Sequence, residues 1–473
     1  MRKIIFTLFG AALLSACSDS YLDIKPEDQI KSENFFKTKE DALASVSAIY
    51  TNLRTWDLAA FAPIILSVSS DDADKGSSPG DAPFFDDIKN FTFTASAGII
   101  EGYWSGQFRG INLANQTITN IPSIPMDDAL KSRLLAEARF FRAYHYFNLV
   151  KLYGGVPIYD GIPADGNYNL PRNSKEEVYN FILADLKFAE ENLPANYGAT
   201  DIGRATKGAA RAFEAKANMY LGNWDKVLSL TNQVMGMGYG LLPSYNSVFR
   251  IEFENSIESI FEVQCTYVSG NCDLSNSQFS QVQGVRNQFG WGFNVPSQNL
   301  SDSYETGDVR RDATIIYRGE TTPEKDYINP IGDNPMYNQK AYVPSGQIGN
   351  CSEGSEQNIR IMRFAEVLLM NAEAANETGD TGLALSSVNK IRQRASLPAL
   401  SSMSKEQLRL AIWKERRSEM GMESDRFLDL VRQGRAATVL GPQGFTTGKN
   451  ELFPIPAEAI SLSNGILKQN PGY

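Results

Sequence analysis

Along most of the chain, apolar residues recur three and four positions apart and are broken by short polar turns. That pattern predicts stacked amphipathic helices. From Asp41 to Arg54, Leu43, Val46 and Ile49-Tyr50 share one face. Trp104, Phe108, Ile111, Asn115 and Ile118 do the same over 101–120. Asp127 to Tyr153 carries the strongest stripe, Leu130, Leu134, Ala138, Phe141, His145, Leu149 and Leu152, and Gly154-Gly155 with Pro157 ends it. Ser174-x-x-Glu177 is a capping box opening a helix to about Asn192, closed by Pro194. Thr206 to Leu221 is rich in small residues (Gly208, Ala209, Ala212, Ala215), which predicts close approach of a neighbouring backbone. Gly222-Asn223-Trp224 then turns into a helix to about Met235. Later helices are predicted over Ile359–Glu377, Gly382–Arg394, Ser404–Gly421 (a second capping box, Ser404 with Gln407) and about Ser424–Arg432.

Residues 240–358 break the rhythm. They are rich in Gly, Ser, Asn and Gln, with short β-like pieces at Ile260–Val263 and Ala313–Tyr317. Helix pairs joined by tight glycine turns, about 206–236 and 359–394, have nearly the length of a tetratricopeptide repeat. The predicted fold is therefore mainly α: a tetratricopeptide-like right-handed helical superhelix, with a loop-rich, partly β subregion packed on one face. The helical scaffold is expected at about 38–56, 101–236 and 359–435, and the variable loops at about 57–100 and 240–358. Together they form a single body over 38–473.

The first residues read as an address. Arg2 and Lys3 precede an apolar run, Ile4 to Leu14, too short to span a bilayer. Leu14-Ser15-Ala16-Cys17 resembles a bacterial lipobox, so residues 1–16 are predicted to be a signal peptide and Cys17 to carry lipid, palmitate included. The competing reading, a buried or disulfide-bonded Cys17, does not account for the coincidence of charge, apolar run and box. Residues 17–37 then form the anchor and an extended tether. Ser18 in place of an aspartate favours the outer membrane over the inner. Export permits disulfides, but Cys265, Cys272 and Cys351 are odd in number. Cys265 and Cys272 bracket a turn-rich loop that a disulfide would close; three unpaired thiols are the alternative.

The 473 residues hold 45 Lys+Arg against 55 Asp+Glu, a net charge of −10, and −12 once Arg2 and Lys3 are removed. A phosphate-binding protein needs a basic face, so nucleic acid is not the expected partner. One histidine, His145, excludes a zinc site built on several histidines. It is also the only histidine a serine or cysteine nucleophile could use, and its place on an apolar stripe reads as core. Gly76-Ser77-Ser78-Pro79-Gly80 matches the hydrolase pattern G-x-S-x-G, but the flanking Asp71-Asp72-Ala73-Asp74 and Asp81-Ala82-Pro83 mark a loop where the pattern needs a strand-to-helix elbow. Asp71, Asp72 and Asp74 lack the glycine and terminal glutamate of a calcium loop and read as a solvated loop or the polar lip of a pocket. The charges from Glu415 to Arg435 alternate at three-four spacing and predict ion pairs locking helix to helix, with a substrate-binding arginine cluster as the alternative. No cofactor is implied.

Aromatic residues outside the helical stripes point to ligand binding. Phe84 and Phe85 lie in a polar loop; Tyr267, Phe289, Trp291 and Phe293 lie in the Gly/Asn/Gln-rich region, where 289–293 is flanked by Arg286, Asn287, Gln288 and Asn294. Flat rings stack on the C–H faces of sugars while amide and charged groups bind hydroxyls. The expected ligand-binding set is Asp72, Phe84, Phe85, Tyr267, Arg286, Asn287, Gln288, Phe289 and Trp291; the alternative is that these rings plug a loop into the helical body.

The chain from Cys17 to Tyr473 resembles the SusD/RagB family of surface lipoproteins. The resemblance rests on Cys17-x-x-x-Tyr21-Leu22-Asp23-x-x-Pro26, Ala136-Glu137-Ala138-Arg139-Phe140-Phe141-Arg142-Ala143-Tyr144, Leu152-Tyr153-Gly154-Gly155-Val156-Pro157 and Gly203-Arg204-Ala205-Thr206-Lys207-Gly208. It continues through Asp302-Ser303-Tyr304-Glu305-x-Gly307-Asp308-x-Arg310, Arg363-Phe364-Ala365-Glu366-Val367-Leu368-Leu369, Glu415-Arg416-Arg417, Leu452-Phe453-Pro454-Ile455-Pro456 and Gln469-Asn470-Pro471-Gly472-Tyr473. These are scaffold motifs. They imply a non-catalytic, lipid-anchored protein at the cell surface that binds a nutrient oligosaccharide and delivers it to a SusC-like TonB-dependent transporter of the outer membrane. A peptide-binding member of the family is the alternative, followed by a surface glycoside hydrolase on a helical scaffold or a tetratricopeptide adaptor with no small ligand.

Overall fold

The computed structural model describes residues 35–266, 268, 278–348 and 355–473. The signal and lipobox expectations, Cys17, Tyr267, Cys272 and Cys351 lie outside the described residues.

The helices begin where side chains can satisfy their first amides. Thr38 and Asp41 form a reciprocal capping box on α1 (Lys39–Asn52). α2 (Gly98–Asn120) and α3 (Asp128–Tyr153, capped by Asp127) follow. Ser174 and Glu177 cap α4 (Lys175–Asn192), and Thr206 caps α5 (Lys207–Leu221). Gly222, at φ +73°, ends α5 in the left-handed conformation and starts the turn into α6 (Trp224–Met235). α7 (Phe364–Thr378) and α8 (Thr381–Arg394) repeat the device with Gly379 at φ +94°. α9 (Lys405–Met420) opens with the Ser404–Gln407 box, and α10 (Arg426–Arg432) follows. Each helix packs on its neighbours in chain order, α1 on α2, α2 on α3, and so on to α6; α6 then lies on α7, which α8 and α9 cover. The mainly α fold with repeat-like helix pairs is as expected. The core runs continuously through the stack, with Phe140, Phe141, Tyr146 and Leu149 of α3 fully buried. No helix among the described residues is long and apolar enough to cross a membrane.

Three antiparallel strand pairs form the β part: β1 (Ala73–Gly76) with β3 (Phe293–Pro296), β2 (Ser259–Val263) with β6 (Ile359–Arg363), and β4 (Ile315–Tyr317) with β5 (Met336–Asn338). The helix expected from Ile359 therefore starts at Phe364. Residues 359–363 are a strand because Ile359 and Met362 are buried, while Arg360 and Arg363 reach Glu262 (3.6 Å) and Glu258 (2.9 Å). Segment 57–100 is also more ordered than a loop. A π-helical turn (Trp56–Phe61), the helix Ala62–Val68, β1 and the helix Phe84–Lys89 occupy it, and Ile64, Ile65 and Val68 are buried. Phe84 and Phe85 are thus helical. The small residues of α5 admit a side chain rather than a backbone: a Cβ on Gly208 would lie 2.3 Å from the Tyr239 hydroxyl.

The charges of α9 and α10 do lock elements together. Arg416, 2% exposed, reaches Glu366 of α7 at 2.7 Å, Asp425 at 2.9 Å and Asp429 at 2.7 Å. Arg432 pairs with Glu373 at 2.7 Å. They are buried, so a substrate cluster there is not supported.

An aromatic platform at the junction of two loop regions

The β1–β3 pair joins two segments more than 200 residues apart. Ala73 faces Pro296, Gly76 faces Phe293, and the Ser77 amide donates to the Gly292 carbonyl at 2.6 Å. Gly76 is required there: it sits at φ +74°, and a Cβ would fall 2.3 Å from that carbonyl. Arg286 fastens the junction further, donating to Asp81 at 2.9 Å and to the Ser77 hydroxyl at 2.6 Å. The Ser77 hydroxyl itself donates to Asp81 at 2.8 Å. That bond leads the causes that hold the Asp81 carboxyl below its ordinary pKa, with Arg286 contributing.

The junction brings two indoles together. Trp56, at the start of the π-helical turn, and Trp291, just before β3, are each 39% exposed. Their ring centroids are 5.7 Å apart and their planes 19° from parallel, an offset stack. Ring contacts continue from Trp56 to Phe61 (5.5 Å), Phe61 to Phe85 (6.0 Å) and Phe85 to Phe84 (4.7 Å). Beside Trp291 a cleft with about 270 Å³ of water-accessible space is lined by Gln281, Asn287, Phe289, Val343 and Ile348 among others. Phe289 is half-buried against Tyr342 at 5.6 Å. Asn287 is exposed at φ +61°. Gln288 is occupied by the scaffold: it donates to the Tyr327 carbonyl and accepts from the Asn329 amide.

The expected residues thus divide. Arg286, Asn287, Gln288, Phe289 and Trp291 share one loop; Asn287, Gln288, Phe289 and Trp291 line the cleft, Gln288 with its amide bonded to the scaffold, while Arg286 holds the loop in shape. Phe84 is 41% exposed, whereas Phe85, at 1%, lies in the core between Phe61 and Phe293. Asp72 is 2% exposed, and Arg417 holds its carboxylate at 2.7 Å. Asp71 is paired to Arg426 at 2.7 Å. The reading of Asp71 and Asp72 as a solvated loop or polar lip is therefore corrected: two arginines from α9 and α10 fold over them. Among the described residues no group of three or more His, Cys, Asp or Glu is arranged to hold a metal. Trp56 is the platform residue that periodicity misses, because it follows a helix directly, where the scaffold is expected to run to residue 56. Its signal was a tryptophan off the apolar stripe of α1.

The hydrolase pattern carries no catalytic arrangement. Ser78 follows β1 by two residues but donates to Asp333 at 2.8 Å. His145 is fully buried in α3, its Nδ1 bonded to Gln107 at 2.7 Å, and burial pushes its pKa down to about 3. A separate cavity of about 140 Å³ is lined by apolar side chains such as Leu58, Leu66, Phe147 and Phe213 together with the charged groups of Lys151, Lys216, Lys340, Glu423 and Asp425.

The model of the SusD family matches residues 257–473, and a model described as starch-binding and associating with the outer membrane matches residues 20–221. A SusD-like protein of Bacteroides ovatus is 30% identical over 91% of this chain and 82% of its own. SusD-like protein P2 of Formosa agariphila is 28% identical over the full length of both. Among solved structures, a laminarin-binding SusD-like protein superposes with a TM-score of 0.82 at 29% identity, covering 92% of this chain and all of its own. Surface glycan-binding protein A of Bacteroides fluxus gives 0.79 at 27% identity, with the same coverage.

Proposed function

The chain belongs to the SusD family, and on that premise we propose that it is a non-catalytic, lipid-anchored protein of the outer-membrane surface that binds a nutrient oligosaccharide and passes it to a partner TonB-dependent transporter. The observation that carries the binding half is the Trp56–Trp291 stack. Two half-exposed indoles in an offset stack are held by a strand pair and a charged clamp, beside a cleft offering the Asn287 amide. Sugar rings present flat C–H faces to such a platform and hydroxyls to the amide. The ligand-binding set is Trp56 and Trp291 as stacking surface, Phe289, Asn287 and Phe84 as neighbours, and Arg286 and Gln288 as supports. Asp72 and Phe85 belong to the scaffold.

The names borne by the relatives support a glycan: one 29%-identical neighbour is called laminarin-binding and another a surface glycan-binding protein. Laminarin oligosaccharides are therefore the first ligands to test. Lipid attachment at Cys17 and the transporter partnership rest on the lipobox and on the family, whose matching model is described as associating with the outer membrane.

The test has two parts. Mass spectrometry of the mature N-terminus should find lipid on Cys17; an unmodified chain starting at Met1 would refute the anchor. Native pull-down from outer membranes should recover a TonB-dependent transporter, and its consistent absence would refute the partnership.

A further inference from the structure

A second groove lies away from the platform. α2, the loop 157–170 and the C-terminal segment 457–467 enclose about 360 Å³ of water-accessible space, more than the cleft beside Trp291. Four rings in succession line it: Trp104 to Phe108 at 4.8 Å, Phe108 to Tyr159 at 5.9 Å, Tyr159 to Tyr168 at 5.6 Å. The Tyr159 hydroxyl donates to the Tyr168 carbonyl at 2.6 Å and so fixes the loop, leaving the Tyr168 ring 46% exposed.

Glu101 of α2 enters the same groove. Its Oε1 accepts from the Ser105 hydroxyl at 2.7 Å. Its Oε2 is buried and has no hydrogen-bond partner among the described residues. Burial, and the nearby Glu458 carboxylate, hold its pKa above the ordinary carboxylate range against the Ser105 bond. No lysine, arginine or histidine is among the groove's lining residues. An orphaned carboxylate oxygen is costly and calls for a donor. Aromatic faces carry negative quadrupole charge and attract the same kind of donor, a cation.

We propose that this groove is a second binding site, for an oligosaccharide carrying a protonated amino sugar, with the ammonium at Glu101 and the sugar body against Trp104, Phe108 and Tyr168. The lining favours a sugar over a lysine side chain from a protein. Ser105, Asn169 and Ser463 place hydroxyl and amide groups among the rings. The inference does not depend on the platform.

Isothermal titration calorimetry tests it, with the β-1,4-linked glucosamine trimer as probe, on the mature chain and in a Trp291→Ala background that removes the platform's contribution. The trimer should bind in both. Glu101→Gln should weaken it by about tenfold, as should Tyr168→Ala, since a charge-assisted bond and the stacking of a sugar face on an aromatic ring are each worth about 1–2 kcal/mol. The N-acetylated trimer, which carries no charge, should bind about tenfold more weakly. Tyr168 is at the surface, so its variant keeps the test decisive if Glu101→Gln alters folding. Equal binding of the two trimers, no loss in either variant, or no binding at all would overturn the proposal. So would Glu101-dependent binding of acetyl-Leu-Lys-Leu-amide in place of the glucosamine trimer, which would make the groove a peptide site.

Discussion

Replacing Glu419 by Gln tests whether a buried charge cluster holds the C-terminal helices of the stack to the β part. Glu419 is fully buried on α9. One carboxylate oxygen accepts from Arg363 at 3.0 Å and from Arg394; the other lies 3.3 Å from Arg310. Those arginines continue the cluster: Arg363 to Glu258 at 2.9 Å and Glu423 at 2.7 Å, Arg394 to Glu258 at 2.9 Å, and Arg310 to Asp308 at 2.7 Å and Glu415 at 2.6 Å. They come from β6, α8 and the short helix Arg310–Thr314 before β4, so one carboxylate ties α9 to all three. Gln keeps the shape, removes the charge and turns an amide toward guanidinium groups. Breaking a buried pair from one side costs about 3–5 kcal/mol. Unfolding entropy scales with length, to on the order of 1 kcal/mol/K for the 473-residue chain, so the melting temperature should fall by about 3–5 °C. Burial pushes the Glu419 pKa up, but Arg394, Arg363 and Arg310 together pull it well below the carboxylate range. Its depressed pKa makes the contribution fully present above the unfolded value, near 4.5, and lost as pH falls below it. The assay is equilibrium urea unfolding at pH 7 followed by circular dichroism. Glu377→Gln is the control: the Glu377–Arg409 pair has side chains 12% and 29% exposed and should contribute about 0–1 kcal/mol. A loss at Glu419 no larger than at Glu377 would refute the reasoning.

Gly110→Ala should destabilise by about 1–3 kcal/mol in the same assay, because its Cβ would fall 2.1 Å from His145 Nε2 in a filled core; an unchanged midpoint would show that α2 and α3 can part freely. Burial, with added repulsion from Glu190, pushes Glu214 up to about 7, so its own contribution to stability should decline as pH rises from about 4.5 to about 7. Glu214→Gln should flatten that decline, and identical slopes would contradict it. Ser174→Ala removes the hydroxyl that caps the Glu177 amide at 3.2 Å and should cost about 1 kcal/mol in urea unfolding.

The scaffold was legible because its signals are local. Capping boxes at Ser174 and Ser404 and the glycine turns at Gly222 and Gly379 act within one turn of helix, and the helices begin and end there within a residue or two. Strand β6 was read as helix because Ile359–Arg363 runs without a break into α7, and only its partner β2, about a hundred residues earlier, shows that it is a strand. The same distance effect explains the site. The loop 286–291 announced itself by composition. That Asp72 is scaffold depends on Arg417, 345 positions away. That Trp56 belongs to the platform depends on β1 pairing with β3, which no short-range pattern contains.

The central claim is that Trp56 and Trp291 form the surface on which an oligosaccharide stacks. Calorimetry with a panel of neutral oligosaccharides, beginning with laminarihexaose, tests it on wild type, Trp56→Ala, Trp291→Ala and the double variant. Both rings are 39% exposed, so every variant should melt near the wild-type temperature. Each single variant should weaken binding by about 1–2 kcal/mol, roughly five- to thirtyfold. The double variant should lose less than the sum, because rings 5.7 Å apart act on the ligand as one surface. Single variants that bind the panel as the wild type does, or that melt far lower yet bind normally while folded, would make the indoles scaffold and contradict the account.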